Sequence, residues 1–207
     1  MAGDTCLVCG LDEAGRGPMA GPVCAAAVIL PADFDLSLLN DSKKLTETKR
    51  ERAMREIMLH ASAWCIGWAS SAEIDRINIL RASLLAMKRS FDGLFDRSAG
   101  RSDLRDNLDS LEVIVDGLFV PDIAHENCRA LPKADSSVPA VMAASILAKT
   151  ARDRMMKRYS WLYPQYGYER HKGYATREHI EALKKNGPSP IQRKSFRLKG
   201  EGQGELF

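Results

Sequence analysis

Asp12 and Glu13 stand side by side between an apolar run and a glycine-rich turn, in Leu7-Val8-Cys9-Gly10-Leu11-Asp12-Glu13-Ala14-Gly15-Arg16-Gly17-Pro18. A desolvated carboxylate is costly unless it is paired or bound to metal. Neighbouring side chains of a regular strand point to opposite faces. The expectation is therefore a strand over residues 5–10 that breaks into the glycines and lets both acids turn towards one site. Such a pair suits a hard divalent cation, which takes oxygen ligands. Two other segments have the same form: Leu111-Glu112-Val113-Ile114-Val115 ends in Asp116 before Gly117, and Asp135 precedes a long helical pattern. Strand ends along one edge of an α/β sheet are where such folds place their sites. If the four acids converge, two unit charges about 4 Å apart repel by about 4 kcal/mol at an effective dielectric of about 20. A domain holds a net stability of only about 5–15 kcal/mol. Divalent cations relieve that repulsion, and two of them about 3.5–4 Å apart can activate water and stabilise the leaving oxygen of a phosphodiester. Taken singly, each acid also has an ordinary reading: Asp135 as a charge at a helix N-terminus, Asp116-Gly117 as a turn.

The elements that must position these acids are legible in part. Residues 23–30 read as a strand buried on both faces, 64–70 as a third, 111–116 as a fourth, and 130–133 as a weak candidate. Helical spacing covers 46–62 and 71–95, the latter in two pieces near Asn78. The strongest helix spans 138–158, with Ser136 or Ser137 as its cap and Pro139 in its first turn. Its Ala143, Ala144, Ala148 and Ala151 allow close packing on a sheet. A last helix spans 176–185, closed by Asn186-Gly187-Pro188. Residues 97–110 are polar and read as a surface connection. Strands followed by strand–helix alternation indicate an α/β core with a helical C-terminal part.

The chain has 207 residues, 45% of them hydrophobic, and five cysteines. No apolar run reaches the roughly 20 residues that cross a bilayer, and Asp4, Asp12 and Glu13 interrupt the start against a signal peptide. A soluble, cytoplasmic protein is expected. The cysteine usage fits a reducing compartment; Cys6-Leu7-Val8-Cys9 has redox or zinc spacing but no second pair, and buried thiols are the plainer reading. Residues 1–148 hold 16 Lys+Arg against 21 Asp+Glu, whereas residues 149–199 hold 14 against 4. An acidic half followed by a basic half suggests a polyanionic partner, with a solvated charged face as the alternative.

Taken together the motifs resemble the ribonuclease HII family, the type 2 ribonucleases H, from about residue 6 to residue 197. They are Asp12-Glu13-Ala14-Gly15-Arg16-Gly17-Pro18, Asp41-Ser42-Lys43-Lys44-Leu45, Val115-Asp116-Gly117, Lys133-Ala134-Asp135, Ala143-Ala144-Ser145-Ile146-Leu147-Ala148-Lys149 with Arg152-Asp153, and Tyr163-Pro164-Gln165-Tyr166-Gly167 through His171-Lys172-Gly173-Tyr174. The resemblance implies a ribonuclease H-like core, a mixed five-stranded sheet flanked by helices, over residues 1–160. It adds a C-terminal helical substrate-binding part over 161–199 and a flexible tail over 200–207. It implies hydrolysis of the RNA strand of RNA–DNA hybrids, and incision 5′ of single ribonucleotides in duplex DNA, leaving 3′-hydroxyl and 5′-phosphate ends. The implied catalytic and metal-binding residues are Asp12, Glu13, Asp116 and Asp135, with Mg²⁺ or Mn²⁺. The implied readers of the RNA–DNA junction are Gly15, Arg16, Gly17 and Tyr174. The 2′-hydroxyl alone separates RNA from DNA locally, and glycines let backbone approach the sugar.

Lys43, Lys44, Lys149 and Arg152 are expected at phosphates, although Lys149 and Arg152 also suit ion pairs within the protein. His171 and His179 carry no assignment; His60 and His125 read as ordinary. Ala134, Ala175 and Gln192 depart from glycine, glycine and histidine in the family pattern. The first two departures matter if the backbone there needs positive φ. The tail, with Gln203, Leu206 and Phe207, resembles peptides that dock on bacterial sliding clamps; a frayed end is its alternative. A monomer is the default. The competing functions are a non-catalytic junction binder and another nuclease on the same core. Four acids facing phosphate speak against the binder.

Overall fold

The computed structural model describes residues 7–40, 42, 45–97 and 110–196. Strand β2 (Val23–Ile29) explains the architecture. Every one of its residues is buried, because it lies between β1 (Leu7–Ala14) and β3 (Ala63–Ala69) and both faces are covered. Val23, Ala25, Ala27 and Ile29 join one apolar cluster; Cys24, Ala26 and Val28 join another. That is the period of two, sorted into two layers. With β4 (Leu111–Asp116) and β5 (Cys128–Leu131) the sheet has the order β3-β2-β1-β4-β5. The β1–β2 and β2–β3 pairs are antiparallel, and β1–β4 and β4–β5 are parallel. This is the mixed five-stranded sheet expected.

Strand β1 does not stop at Gly10. The ladder to β2 continues through Asp12↔Ala26, Glu13↔Ala25 and Ala14↔Cys24, so both acids sit inside regular strand. The hydrogen-bonding partners offered by β2 outweigh the breaking tendency of the glycines that follow.

The helices follow their caps. Thr46 accepts from the Lys49 N–H at the start of α1 (Glu47–His60). Ser70 and Glu73 form a capping box on α2 (Ser71–Ile77). Asn78, at φ 68°, separates it from α3 (Ile79–Arg97), as the sequence suggested. The long helix α4 (Pro139–Leu162) keeps Pro139 in its first turn, but no serine caps it: Val138 occupies that place. Ser136 lies in the preceding 3-10 turn, Ala134–Ser136, where its hydroxyl already donates to Lys133 O. The short α5 (Tyr168–His171) and α6 (Arg177–Asn186) follow. Helix α3 covers one face of the sheet; α4 covers the other, with α1 against it. A third cluster joins Met19 and Ala20, from the loop after β1, to Met156, Tyr166, Tyr168, Leu183 and Ile191. The C-terminal elements are thereby packed on that loop.

Among the described residues no helix is long and apolar enough to cross a membrane. Cys9, Cys24 and Cys65 are buried free thiols. Burial, with Cys128 nearby, pushes Cys9 up to about 12, so it packs and does not react. Cys6 lies outside the described residues, as do residues 98–109 of the expected surface connection.

Gly10 has a specific task. A Cβ there would stand 2.2 Å from Ala140 C and from Val141 N, so its absence lets α4 rest directly on β1. Gly10→Ala should force helix and strand apart at an overpacking cost of about 1–3 kcal/mol, read as a lowered urea midpoint. A variant as stable as the parent contradicts the close approach.

Candidate active site

The β1–β4 register builds the site. Gly10 pairs with Ile114 and Leu11 with Val115, so the next residues, Asp12 and Asp116, stand level on neighbouring parallel strands. Gly10 meets α4, and Ile114 packs with Val141 of that helix. Two residues further on, Asp12 and Asp116 return to the same face. Asp135 arrives from the 3-10 turn after β5, where Lys133 turns the chain at φ 61°. Each of the three offers a carboxylate oxygen, and these oxygens all lie within 4.8 Å of one another. Asp12 is buried; the other two are half-buried.

Glu13 stands outside that group. Strand alternation sends it to the opposite face, where Arg16 Nη1 meets its Oε1 at 3.2 Å. Its backbone N–H donates to Asp12 Oδ1 at 2.7 Å. Burial pushes the Asp12 carboxyl well above its ordinary range, with the Glu13 charge and then the Asp116 charge adding to the effect; a hydrogen bond with Ser145 of α4 opposes them. Burial also pushes Glu13 up, against the Arg16 guanidinium that pulls it down. An all-carboxylate donor set with this much mutual repulsion fits a divalent cation.

The loop after β1 is held from inside. Gly15, at φ 101°, packs on Arg152: a Cβ would fall 2.0 Å from its Nε. Bare backbone at Gly15 therefore serves packing. Gly17 is exposed, and its Cβ position would lie 3.5 Å from the Tyr174 ring. The expected junction readers are thus brought together. Tyr174 is half-exposed, and its backbone is fixed: its N–H donates to His171 O at 2.9 Å, and His179 Nδ1 donates to its carbonyl at 3.0 Å. His171 and His179 stack with centroids 4.6 Å apart, and burial keeps both below the ordinary histidine range. They are a support beneath Tyr174.

Arg152 requires a correction. It is buried, and its guanidinium donates to the carbonyls of Pro22, Lys172 and Ala20 at 3.0–3.2 Å; no face of it is left for phosphate. Lys149 is partly exposed and pairs with Asp153 at 2.8 Å. Lys43, Lys44, Gln203, Leu206 and Phe207 lie outside the described residues. Ala134 and Ala175 have ordinary φ, so neither position needs glycine.

Three contributors were missed. Ser145 opposes the rise of the Asp12 carboxyl, and its hydroxyl lies 2.9 Å from that of buried Ser42, which brings Ser42 to the site. Arg50 holds the same stretch by donating to the carbonyls of Ser42 and Leu45. A lone serine among the alanines of α4 was the available signal. Arg193 is buried and donates to Gly15 O, Arg16 O and Gly21 O. Nothing in the basic C-terminal run marked it out from its surface neighbours.

Residues 9–199 match the family model described as Ribonuclease HII. The chain is 60% identical over 198 residues to a ribonuclease HII of Treponema denticola, covering 93% of this chain and 99% of that protein. Among solved structures it resembles ribonuclease H2 of Pyrococcus horikoshii, with a TM-score of 0.66 and 25% identity over 92% of this chain and 93% of the other. It also resembles ribonuclease HII of Archaeoglobus fulgidus, solved in complex with PCNA, with a TM-score of 0.64 and 26% identity over 95% of this chain and 98% of the other.

The raised carboxyls carry a stability prediction. Asp12 and Glu13 keep protons in the folded chain at pH values where the unfolded chain has released them. Their favourable contribution is therefore full in acid and is lost as pH rises through the ordinary carboxylate range towards their folded values. Metal-free Asp12→Asn should melt above the parent, by roughly 2–4 °C per kcal/mol of relieved repulsion. The gap should widen from about pH 4 to about pH 8, and a saturating divalent cation should raise the parent's melting temperature far more than the variant's. A gap that narrows with rising pH contradicts this account.

Proposed function

The chain belongs to the ribonuclease HII family, and on that footing we propose that it hydrolyses the RNA strand of RNA–DNA hybrids and incises 5′ of a single ribonucleotide in duplex DNA, leaving 3′-hydroxyl and 5′-phosphate ends. The carrying observation is the convergence of Asp12, Asp116 and Asp135 within 4.8 Å. These three would hold divalent cations, Mg²⁺ or Mn²⁺ in a pair, and Glu13 adds its charge from the other face of the same strand end. When bound, such ions supply charge compensation to the phosphodiester and lower the pKa of the attacking water. Ser145 of α4 faces Asp12 and favours its charged form, and α4 closes one side of the site.

Recognition in this reading is separate from chemistry. Gly15, Arg16 and Gly17 form the edge that meets the ribose, and Tyr174 supplies a stacking face and a hydroxyl beside Gly17. The 2′-hydroxyl is the feature a single-ribonucleotide enzyme must read. Residues 161–199 carry Tyr174 and act as the substrate-binding part. Lys149, with Lys43 and Lys44, adds phosphate contacts that give affinity without sequence preference. The tail, through Gln203, Leu206 and Phe207, is proposed to dock on a sliding clamp; the A. fulgidus relative was solved bound to PCNA. The enzyme is taken as a cytoplasmic monomer.

Duplex DNA with one ribonucleotide tests the reaction. Cleavage 5′ of that nucleotide with Mg²⁺ or Mn²⁺, and none with chelator, is expected. A shifted but uncut band would make the chain a junction binder. Cutting of all-DNA duplex would make it a different nuclease. Asp12→Asn and Asp116→Asn should each lower kcat by about 10²-fold or more, the scale seen when one electrostatic stabiliser is removed, while substrate binding stays within a few-fold. Parental rates in both variants defeat the assignment. For the tail, a chain ending at Gly202 should lose retention on an immobilised clamp; equal retention removes that partner.

A further inference from the structure

Gly15 and Arg16 turn their carbonyl oxygens inwards. Arg193 Nη2 donates to Gly15 O at 2.6 Å, Nη1 to Arg16 O at 3.0 Å and Nε to Gly21 O at 2.9 Å. Arg193 is 1% exposed, and its three guanidinium hydrogen bonds all go to backbone carbonyls. No described peptide bond is cis. In a trans peptide the C=O and the following N–H point in opposite directions. A Gly15 carbonyl aimed at Arg193 therefore sends the Arg16 N–H outwards, and an Arg16 carbonyl aimed there sends the Gly17 N–H outwards. The exposure agrees: Gly15 is buried, whereas Arg16 and Gly17 are exposed. Successive outward N–H groups form a donor concavity for an oxygen, and it opens beside the ring of Tyr174.

We propose that Arg193 is the positioning residue of the ribonucleotide-reading loop: it fixes two peptide planes from behind so that the Arg16 and Gly17 amides face the ribose as a paired donor. This rests on the reading of Gly15–Gly17 as the element that meets the 2′-hydroxyl. Glycine on either side of Arg16 leaves those planes free to rotate at little cost, so the loop's own sequence does not select one orientation. The planar fork of arginine does, because its separate nitrogens reach several carbonyls at once; a lysine ammonium is a single point.

Arg193 is itself held in place. Asp75 of α2 accepts from the Lys194 N–H at 3.0 Å, the Ser195 N–H at 2.9 Å and the Ser195 hydroxyl at 2.6 Å. The Arg193 N–H donates to Met19 O at 2.9 Å, and Ala20 bridges Gln192. Phe196 lies under the guanidinium, 5.0 Å from its centroid to Cζ. The cation is thus delivered to the loop along a segment pinned to both α2 and residues 19–21.

The test measures preference in place of turnover. In excess chelator, fluorescence anisotropy gives the affinity of the full chain for duplex DNA with one ribonucleotide and for the same duplex all in DNA. The parent should favour the ribonucleotide. Arg193→Lys should lose about tenfold of that preference while its affinity for all-DNA duplex stays within about twofold; a general folding defect weakens both together. Should Arg193→Lys fail to fold, Asp75→Ala decides, since it loosens the 194–195 anchor without touching the loop and should lose about threefold of the preference. A folded Arg193→Lys, or in its place Asp75→Ala, that keeps the parent's preference overturns the role of Arg193 alone. A parent with no preference overturns the loop reading itself, and Arg193 with it.

Discussion

The in-register parallel pairing of β1 with β4 is the constraint on which the site depends. It places Asp12 and Asp116 at one level on adjacent strands, and the two-residue period turns both towards α4. A slip of one residue between these strands would send one acid to the α3 face and leave only one of this pair beside Asp135. What fixes the register is the alternation of buried side chains: Cys9, Leu11, Val113 and Val115 in one cluster, Ile114 with Val141 and Ala134 in another. Ordinary core packing thereby sets the distance between charges that repel.

Helix α4 joins the two halves of this arrangement. Its alanines, and the missing side chain at Gly10, bring its backbone onto β1. From that close position Ser145 reaches Asp12 and Ser42, one turn before Lys149 pairs with Asp153. Further along, Arg152 grips the carbonyls of Ala20, Pro22 and Lys172. One helix therefore supports the acids with a hydroxyl and the loop beyond them with a guanidinium. Both contacts need the same helix–sheet spacing, so the loop after β1 and the acidic group are set by one packing distance.

Periodicity made much of this legible. The buried strand expected at 23–30 and the two helices parted at Asn78 each rest on a local rule, and local rules can be read from a chain; the serine cap expected for α4 was not found, because Val138 takes that place. The acids could be named because a carboxylate after an apolar run is locally anomalous. Their facing directions were not legible. Whether β1 ended at Gly10 or ran to Ala14 was decided by β2, a partner in space, and that choice moved Glu13 to the far face. Arg152 and Arg193 failed for the same reason. In a basic stretch a buried arginine looks like its solvated neighbours, and its acceptors, backbone carbonyls at residues 15–22, carry no side-chain signature.

Those two arginines also answer a question the acids raise. The carboxylates repel one another, and Arg152 and Arg193 are turned onto backbone carbonyls behind the loop. An arginine inserted among the acids would pair with them, draw their pKa values down and occupy the place of a divalent ion. Burying a guanidinium without a carboxylate is costly, and burial together with its neighbour Arg152 pulls Arg193 down to about 9. Three carbonyl dipoles on each cation offset part of that cost. The outcome is a fold in which these two buried cations fix the loop from behind through its carbonyls. An acidic group that fits a divalent cation and a loop gripped through its carbonyls are thus built from opposite charges that the packing holds apart.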